Sequence, residues 1–404
     1  MTVEVVKSLA QKYKNEVIDY RRHLHAHPEL SFEEYETSKY IQLQLEKIGL
    51  SPKTGIAGTG LVVEIEGKNN HSKTFALRAD IDALPISEKN EKDYTSKNVG
   101  VMHACGHDVH TSSLLGCAHI LNELKNEFEG TVRLIFQPGE EKSPGGASLM
   151  IKEGVLENPK PIGIIGQHVM PQLEVGKFGF REGVYMASAD EIYLKITGKG
   201  GHAAVPENNI DPILITSHII IALQQIVSRN ASPKVPTVLS FGKLTANGAT
   251  NVIPNEVFVE GTLRTMNEQW RKDAKDKIVK IATSLAEGMG GSCEVRFADG
   301  YPYLENNPEL TQRMRKYAEA YIGSENVVNL DLWMAAEDFA FYTHYVDACF
   351  YRLGVRNEAK GITSLVHTPT FDIDEDALEL GSGMMAWLAI NELSQKQLKT
   401  NERP

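Results

Sequence analysis

Cysteine is scarce in this chain, with four residues in 404, too few and too irregularly spaced for a disulfide framework. Aromatic residues make up only 7%, with three tryptophans, and Trp270 and Trp333 stand isolated with no stacking pattern. Positive charge is in deficit: 42 Lys and Arg face 53 Asp and Glu, a formal net charge of −11. That balance argues against a general nucleic-acid binder, whose phosphate affinity rests on clustered basic residues. No apolar run approaches the roughly 18 residues needed to span a bilayer, and the longest lies around Ile219–Leu223. Met1–Tyr20 alternates charged and apolar residues without a small-residue cleavage site, so a signal peptide is not expected. A cytoplasmic enzyme is the expectation. With 42% hydrophobic and 24% charged residues the chain is ordinary globular material, long enough for about two or three domains. What it does have is histidine, thirteen residues unevenly placed.

Val3–Tyr20 has apolar residues at helical spacing, and Ser31-Phe-Glu-Glu34 reads as a capping box opening a second helix towards Leu50. Leu61–Glu66, Thr74–Ala79, Thr131–Phe136 and Ile162–Gly166 are short β-rich runs, while Thr111–Leu124 carries Leu114, Ala118, Leu121 and Leu124 along one helical face. Strands alternating with helices predict an α/β fold with a mixed, mostly parallel sheet flanked by helices. The middle of the chain reads differently. Asp190–Thr197, Thr237–Leu244, Glu256–Arg264 and Ser292–Ala298 are strand-like, and Ile210–Val227 and Gln269–Glu287 helical. That order, βαββαβ, is the ferredoxin-like arrangement. The expected division is a larger domain of residues 1–185 and 299–404 with a smaller one, 186–298, inserted into it.

The strongest chemical signal is His103-Ala-Cys-Gly-His-Asp-Val-His110. Thiolate and imidazole are the usual ligands of zinc and related metals. The cluster leads into the helix expected at Thr111, whose positive end would favour a thiolate. Gln137-Pro-Gly-Glu-Glu141 follows a predicted strand, where ligands gather in open α/β sheets. Adjacent carboxylates repel, so holding both in one turn favours a cation beside them; one can ligate a metal while the other takes a proton from water. Read alone, the segment is better explained as a solvated acidic turn. Ile162–Gln167 reads as a strand ending at His168, and Leu365-Val-His367-Thr-Pro369 places a histidine before a turn. A lone histidine of either kind is more often structural than a ligand. Their convergence is what points to a metal centre, because three of the four features fall at predicted strand ends or the loops after them.

These segments stand in order with others: Arg21-Arg-His-Leu-His-Ala-His-Pro-Glu-Leu30, Arg78-Ala-Asp-Ile-Asp-Ala-Leu-Pro85, Gly200-Gly-His-Ala-Ala204, Asn251-Val-Ile-Pro254, Gly261-Thr-Leu-Arg264, Ala336-Glu-Asp-Phe339 and His367-Thr-Pro369. Over nearly the whole chain the set resembles the aminoacylase–carboxypeptidase metallopeptidase family. Within it, the resemblance is to the amidohydrolase branch of hippurate hydrolases, N-acyl-amino-acid and N-acetyl-diaminopimelate deacetylases and auxin–amino-acid conjugate hydrolases. The resemblance implies a zinc-exopeptidase-like catalytic domain and an inserted lid and dimerisation domain. It implies a two-metal site with Cys105, His107, Glu141, His168 and His367 as ligands, Cys105 standing where the wider family has a bridging aspartate. It makes Glu140 the general base and His202 the group that polarises the scissile carbonyl, in many members across a dimer interface. Asn251 and Arg264 match positions that hold the substrate near its carboxylate, a task suited to a guanidinium fork. Gly139, where Ala is commoner, is a small departure that leaves these roles in place.

Other residues receive less. Asp82, and after it Asp80, are candidates for orienting a ligand from behind, with a salt bridge or turn role as the competing account. His23, His25 and His27 read as structural, and Cys117, Cys293 and Cys349 as core. The expected activity is that of a metal-dependent amidohydrolase acting on a small N-acyl-amino acid. The expected cofactors are two divalent ions, zinc or manganese, with cobalt or nickel tolerated. A homodimer is expected, with no nucleic-acid or membrane partner. Three alternatives stay open: a metal-dependent dipeptidase or carboxypeptidase, a cysteine hydrolase using Cys105 with a neighbouring His, and a non-catalytic metal-binding protein of the same fold.

Overall fold

In the computed structural model, which describes residues 1–395, the uninterrupted apolar runs become the buried centre of one sheet. The chain begins with α1 (Val3–Ala26), α2 (Tyr35–Lys47), β1 (Lys53–Ile56), β2 (Gly60–Glu66), β3 (Thr74–Asp80), α3 (His107–Glu123), β4 (Thr131–Gln137), α4 (Gly146–Lys152), β5 (Ile164–Glu174) and β6 (Phe178–Phe180). It continues with β7 (Gly183–Met186), β8 (Asp190–Thr197), β9 (Gly201–His202), α5 (Pro212–Leu223), β10 (Thr237–Ala246), β11 (Val252–Ile253), β12 (Glu256–Thr265), α6 (Glu268–Gly288) and β13 (Ser292–Asp299). The last elements are β14 (Leu304–Asn306), α7 (Pro308–Ile322), β15 (Val327–Asn329), α8 (Ala340–Thr343), β16 (Ala348–Arg356) and α9 (Asp376–Ser394). Two compact units result. The first comprises Met1–Gly183, Glu305–Asp331 and the chain from Phe341; the second comprises Val184–Leu304 and Leu332–Ala340. The segment Leu332–Ala340 thus packs with the second unit, although the sequence reading left it with the larger domain.

The first unit is built on an eight-stranded sheet in the order β1-β2-β4-β3-β5-β16-β6-β15. Its centre is parallel, β4 with β3, β3 with β5 and β5 with β16, while β2 runs antiparallel to β4 and β6 to β16. Every residue of β3 and of β4 is buried, as parallel strands covered on both faces require. α1, α3 and α9 pack on one another, and α3 is buried nearly all round, so it is a core helix rather than the one-faced helix its sequence suggests.

The strand order places the site. From β3 the chain passes through α3 to β4 on one side, while β5 pairs with β3 on the other. This is a topological switch point, where the carboxyl ends of strands open a crevice. β3 pairs with β5 only from Ala76 and Ile164 to Arg78 and Gly166. β5 continues on β16 alone, with His168 opposite Arg352 and Met170 opposite Gly354. The strand therefore does not end at His168, as its sequence suggested, but runs on to Glu174; what ends before His168 is its pairing with β3.

The second unit carries an antiparallel sheet in the order β10-β12-β8-β13, with α5 and α6 packed on each other and on the sheet. This is the expected βαββαβ arrangement. Pro212–Asn230, α5 with the π turn after it, is long and apolar enough by composition to cross a membrane, more than the run around Ile219–Leu223 suggested. In this unit Ile215, Ile219, Leu223 and Ile226 are buried in the core shared with the sheet and α6.

Candidate metal centre

All five proposed ligands, together with Glu140 and Asp82, belong to the first unit, and the fold brings them together. Cys105 and His107 flank Gly106 at the start of α3, which begins at His107 rather than Thr111. Gly106 has φ +87°, and a Cβ there would lie 2.5 Å from a methyl of Val169, so only glycine lets the chain turn so close to β5. Glu140 and Glu141 follow the carboxyl end of β4, and His168 lies on β5. His367 comes from the loop before α9, in the left-handed region at φ +61°, with its N–H donated to the Ala104 carbonyl at 2.7 Å. Such strain in a non-glycine residue persists where the surroundings enforce it.

Two groups share the thiol. Cys105, His107 and His168 each offer a donor atom within 4.8 Å of the others, and so do Cys105, Glu141 and His367. Cys105 Sγ is 3.3 Å from His367 Nε2 and 3.5 Å from His168 Nε2. His107 donates from Nδ1 to the Asp82 carbonyl at 2.8 Å and lies 3.1 Å from Asp82 Oδ1. His168 donates from Nδ1 to the Val169 carbonyl at 2.7 Å. Each therefore keeps an Nε2 lone pair for the centre, the arrangement by which neighbouring acceptors orient ligating histidines. His110 is different. Its Nε2 accepts the Val169 N–H at 2.9 Å and its Nδ1 donates to Asp80 Oδ1 at 2.6 Å, so both nitrogens are spent. Asp82 uses its other oxygen to accept Ser31 Oγ–H at 2.6 Å and the Glu141 N–H at 3.0 Å. Glu140 is buried, with Oε2 3.9 Å from His107 Nε2.

The electrostatics describe a cluster short of positive charge. Burial opposes charge on His107, but Asp80 and the bond to Asp82 raise its pKa well above the ordinary range. Hydrogen bonds to Cys105 and Glu141 push His367 up to about 10. Burial and then the Glu141 charge push the Cys105 thiol up. His168 is held low, by burial and then by Arg352, and so is a neutral donor. His107 Nε2 is buried and makes no hydrogen bond, and Glu141 Oε1 lies 3.3 Å from His367 Nε2. One thiol, three imidazoles and a carboxylate, with an orphaned imidazole nitrogen on His107 and an affinity for protons that a cation would displace, fit two divalent metal ions.

The triplet of histidines at the end of α1 stays outside this set. His25 is buried, its Nδ1 2.8 Å from Asp108 and its Nε2 3.1 Å from Glu88, and His23 stacks on Tyr40. Cys117, Cys293 and Cys349 are buried core residues. In the second unit, β9 pairs with β11 so that His202 faces Val252, next to Asn251, whose carbonyl accepts the Ala203 N–H at 3.0 Å. His202 Nδ1 accepts the Ala204 N–H at 3.0 Å, which leaves its ring proton on Nε2. Arg264, on β12, donates from Nη1 to the Met334 carbonyl at 3.1 Å. Sequence reasoning missed Ser31 and Glu34 as neighbours of the centre, because their spacing fits a capping box. The structure starts α2 at Tyr35 without a side-chain cap from residue 34; Glu29 instead accepts the Glu36 and Thr37 N–H groups at 3.2 and 2.8 Å.

The sequence matches the profile of Peptidase family M20/M25/M40 over residues 76–391. It is 39% identical over 391 residues to Thermostable carboxypeptidase 2 of Saccharolobus solfataricus, spanning 96% of this chain and 98% of that protein. It is 37% identical over 389 residues to N-acetyl-L-cysteine deacetylase of Bacillus subtilis, spanning 96% and 90%. Among solved structures, a Bacillus subtilis protein described as a dinuclear metal binding peptidase from the M20 family aligns with TM-score 0.82 and 35% identity, covering 95% of this chain and 99% of that one.

Proposed function

The chain belongs to Peptidase family M20/M25/M40 and is a metal-dependent hydrolase, and we propose that the bond it cleaves is the amide of an N-acyl-amino acid. The observation that carries this reading is the Glu140–Glu141 pair. Glu141 shares a donor group with Cys105 and His367, while Glu140, its chain neighbour, is buried beside His107. In this reading Cys105, His107, Glu141, His168 and His367 would hold two divalent ions, zinc or manganese, Cys105 belonging to both donor groups. Bound there, the ions supply Lewis acidity that makes water nucleophilic near neutral pH and polarises a carbonyl.

The protein's own groups do the rest. Glu140 takes the proton of the attacking water and returns it to the leaving nitrogen as the C–N bond breaks. His202, with its proton on Nε2, donates to the oxygen on which negative charge develops, in its own or a partner chain's site. Asn251 and Arg264 hold the substrate carboxylate, the guanidinium supplying local positive charge in a chain of net charge −11. Asp82 keeps His107 in the tautomer that presents Nε2. A cytoplasmic homodimer belongs to the same proposal. The likeness to a carboxypeptidase keeps a second reading in play, cleavage of a peptide rather than an acyl amide. N-acetyl, N-benzoyl and indole-acyl amino acids compared with dipeptides on kcat/KM decide between the two.

Glu140→Gln tests the core of the proposal. It should keep both metals, measured by elemental analysis, yet lose about 10²- to 10⁴-fold in kcat. A variant nearly as active as the wild type means that another group is the base. The cysteine-hydrolase alternative predicts activity that survives chelation and dies on thiol alkylation. The raised Cys105 thiol speaks against it, since a nucleophilic cysteine needs a depressed pKa.

A further inference from the structure

The turn carrying Glu140 and Glu141 is gripped from outside by a loop of residues 29–34. Glu34 is fully buried; its Oε1 accepts the Gly139 N–H at 2.8 Å and its Oε2 accepts the Thr59 hydroxyl at 2.6 Å. Both partners are neutral, and burial raises the pKa of this carboxyl, so the group sits where a carboxylate is costly. Gly139 immediately precedes Glu140, with φ +60°, and a Cβ on it would fall 2.3 Å from the Phe32 ring. The same loop reaches the other side of the centre. Ser31 donates to Asp82 Oδ2, the oxygen that also accepts the Glu141 N–H, and Leu30 bridges to Ala83 beside it.

A turn of this composition has little reason of its own to hold one shape. Glycine is permissive, and two adjacent carboxylates repel each other. We propose that Glu34 is a positioning residue that fixes this turn through the Gly139 N–H. It thereby sets where the Glu140 carboxylate and the Glu141 ligand oxygen lie. The proposal rests on the reading of Glu140 as base and Glu141 as ligand. A displacement of about 1 Å at a reacting group costs on the order of 10²-fold in rate, so a buried acceptor at this point has a kinetic role available to it.

The test uses the full chain loaded with metal, and three variants. Glu34→Ala removes the acceptor. Glu34→Asp keeps the charge but withdraws the acceptor by one methylene. Glu34→Gln keeps an amide oxygen that can still accept the Gly139 N–H. For Ala and Asp, kcat on an N-acetyl-amino acid should fall about 10- to 100-fold, with KM within about threefold. Both metals should stay bound, and the visible absorption of the cobalt-loaded protein should shift as Glu141 moves. Gln should recover most of kcat and the wild-type cobalt spectrum. The proposal is overturned if Asp matches wild type in kcat and spectrum, which decides the matter even if Ala does not fold. It is equally overturned if Gln is as impaired as Asp, because charge or packing would then be the cause. The cobalt spectrum keeps this outcome separate from the assignment of the base: an active Glu140→Gln removes that assignment, while a shifted spectrum in Glu34→Asp still shows that the turn is held from residue 34.

Discussion

His107, His110 and His168 differ in one ring nitrogen, and that difference separates the two proposed ligands from the third histidine. His110 spends both nitrogens on Val169 and Asp80, whereas His107 and His168 anchor Nδ1 and leave Nε2 over. Replacing His110 with Phe should therefore destabilise the fold by about 1–3 kcal/mol, through the Val169 N–H and the Asp80 Oδ1 it leaves without that partner, yet leave two metals bound. His168→Phe should lose metal. Urea unfolding with elemental analysis of both variants checks the contrast, and metal loss in the His110 variant would contradict it. The eight-residue Cys/His cluster announced metal chemistry from sequence alone, but not this division, because the deciding partners are the backbone of Val169, the Asp82 carbonyl and the Asp80 carboxylate, all outside the cluster. Gly139 is another case. Its replacement of Ala looked minor in sequence, but the left-handed backbone and the Phe32 ring predict a cost for Gly139→Ala of about 1 kcal/mol for backbone and 1–3 kcal/mol for overpacking. Trimming Phe32 to Ala in the double variant should relieve the second part, a non-additivity read from unfolding midpoints.

Among elements, the long apolar strands and helices were legible because β3, β4 and the βαββαβ segment carry their periodicity in the chain itself. Three boundaries were not, each overridden by tertiary partners. The capping box at Ser31 yields to Asp82 and Gly139. α3 starts four residues early because Gly106 can turn against Val169. β5 outlasts its apolar run because β16 continues to pair with it. The join between α1 and α3 rests on Arg21, fully buried, which donates to Asp108 at 2.9 Å and to Asp372 at 2.8 Å. Burial pushes the Asp372 carboxyl up, but Arg21 and the Ile373 N–H outweigh it and hold the pKa below its ordinary value. A depressed carboxyl pKa contributes stability that is present above about pH 4, the unfolded value, and is lost as pH falls through the folded one. Arg21→Met takes the guanidinium away from two buried carboxylates, leaving Asp108 to His25 and Asp372 to Lys92 and the Ile373 N–H, and should cost about 3–5 kcal/mol at pH 7. The gap from wild type should narrow as the pH drops below about 4, seen in denaturant midpoints across pH. A gap that widened in acid would contradict the pairing.

For the whole molecule, the family follows from segments spread over the chain, and the sheet of the first unit gathers the candidate metal ligands among them near one switch point. Binding to the folded state alone makes the metals part of the stability. At a free concentration of 100 times Kd each site should add about 2.7 kcal/mol, so chelation should lower the melting temperature as well as abolish turnover. The acyl group and side chain preferred were not legible, since the motifs carry the reaction rather than the pocket that selects the substrate. The most direct test is a titration of metal-stripped protein with zinc or manganese, following hydrolysis of an N-acetyl-amino acid. Activity should be absent at the start and rise to a plateau at two equivalents per chain. Full activity in the stripped protein, or a plateau at one equivalent, would contradict a two-metal centre sharing Cys105.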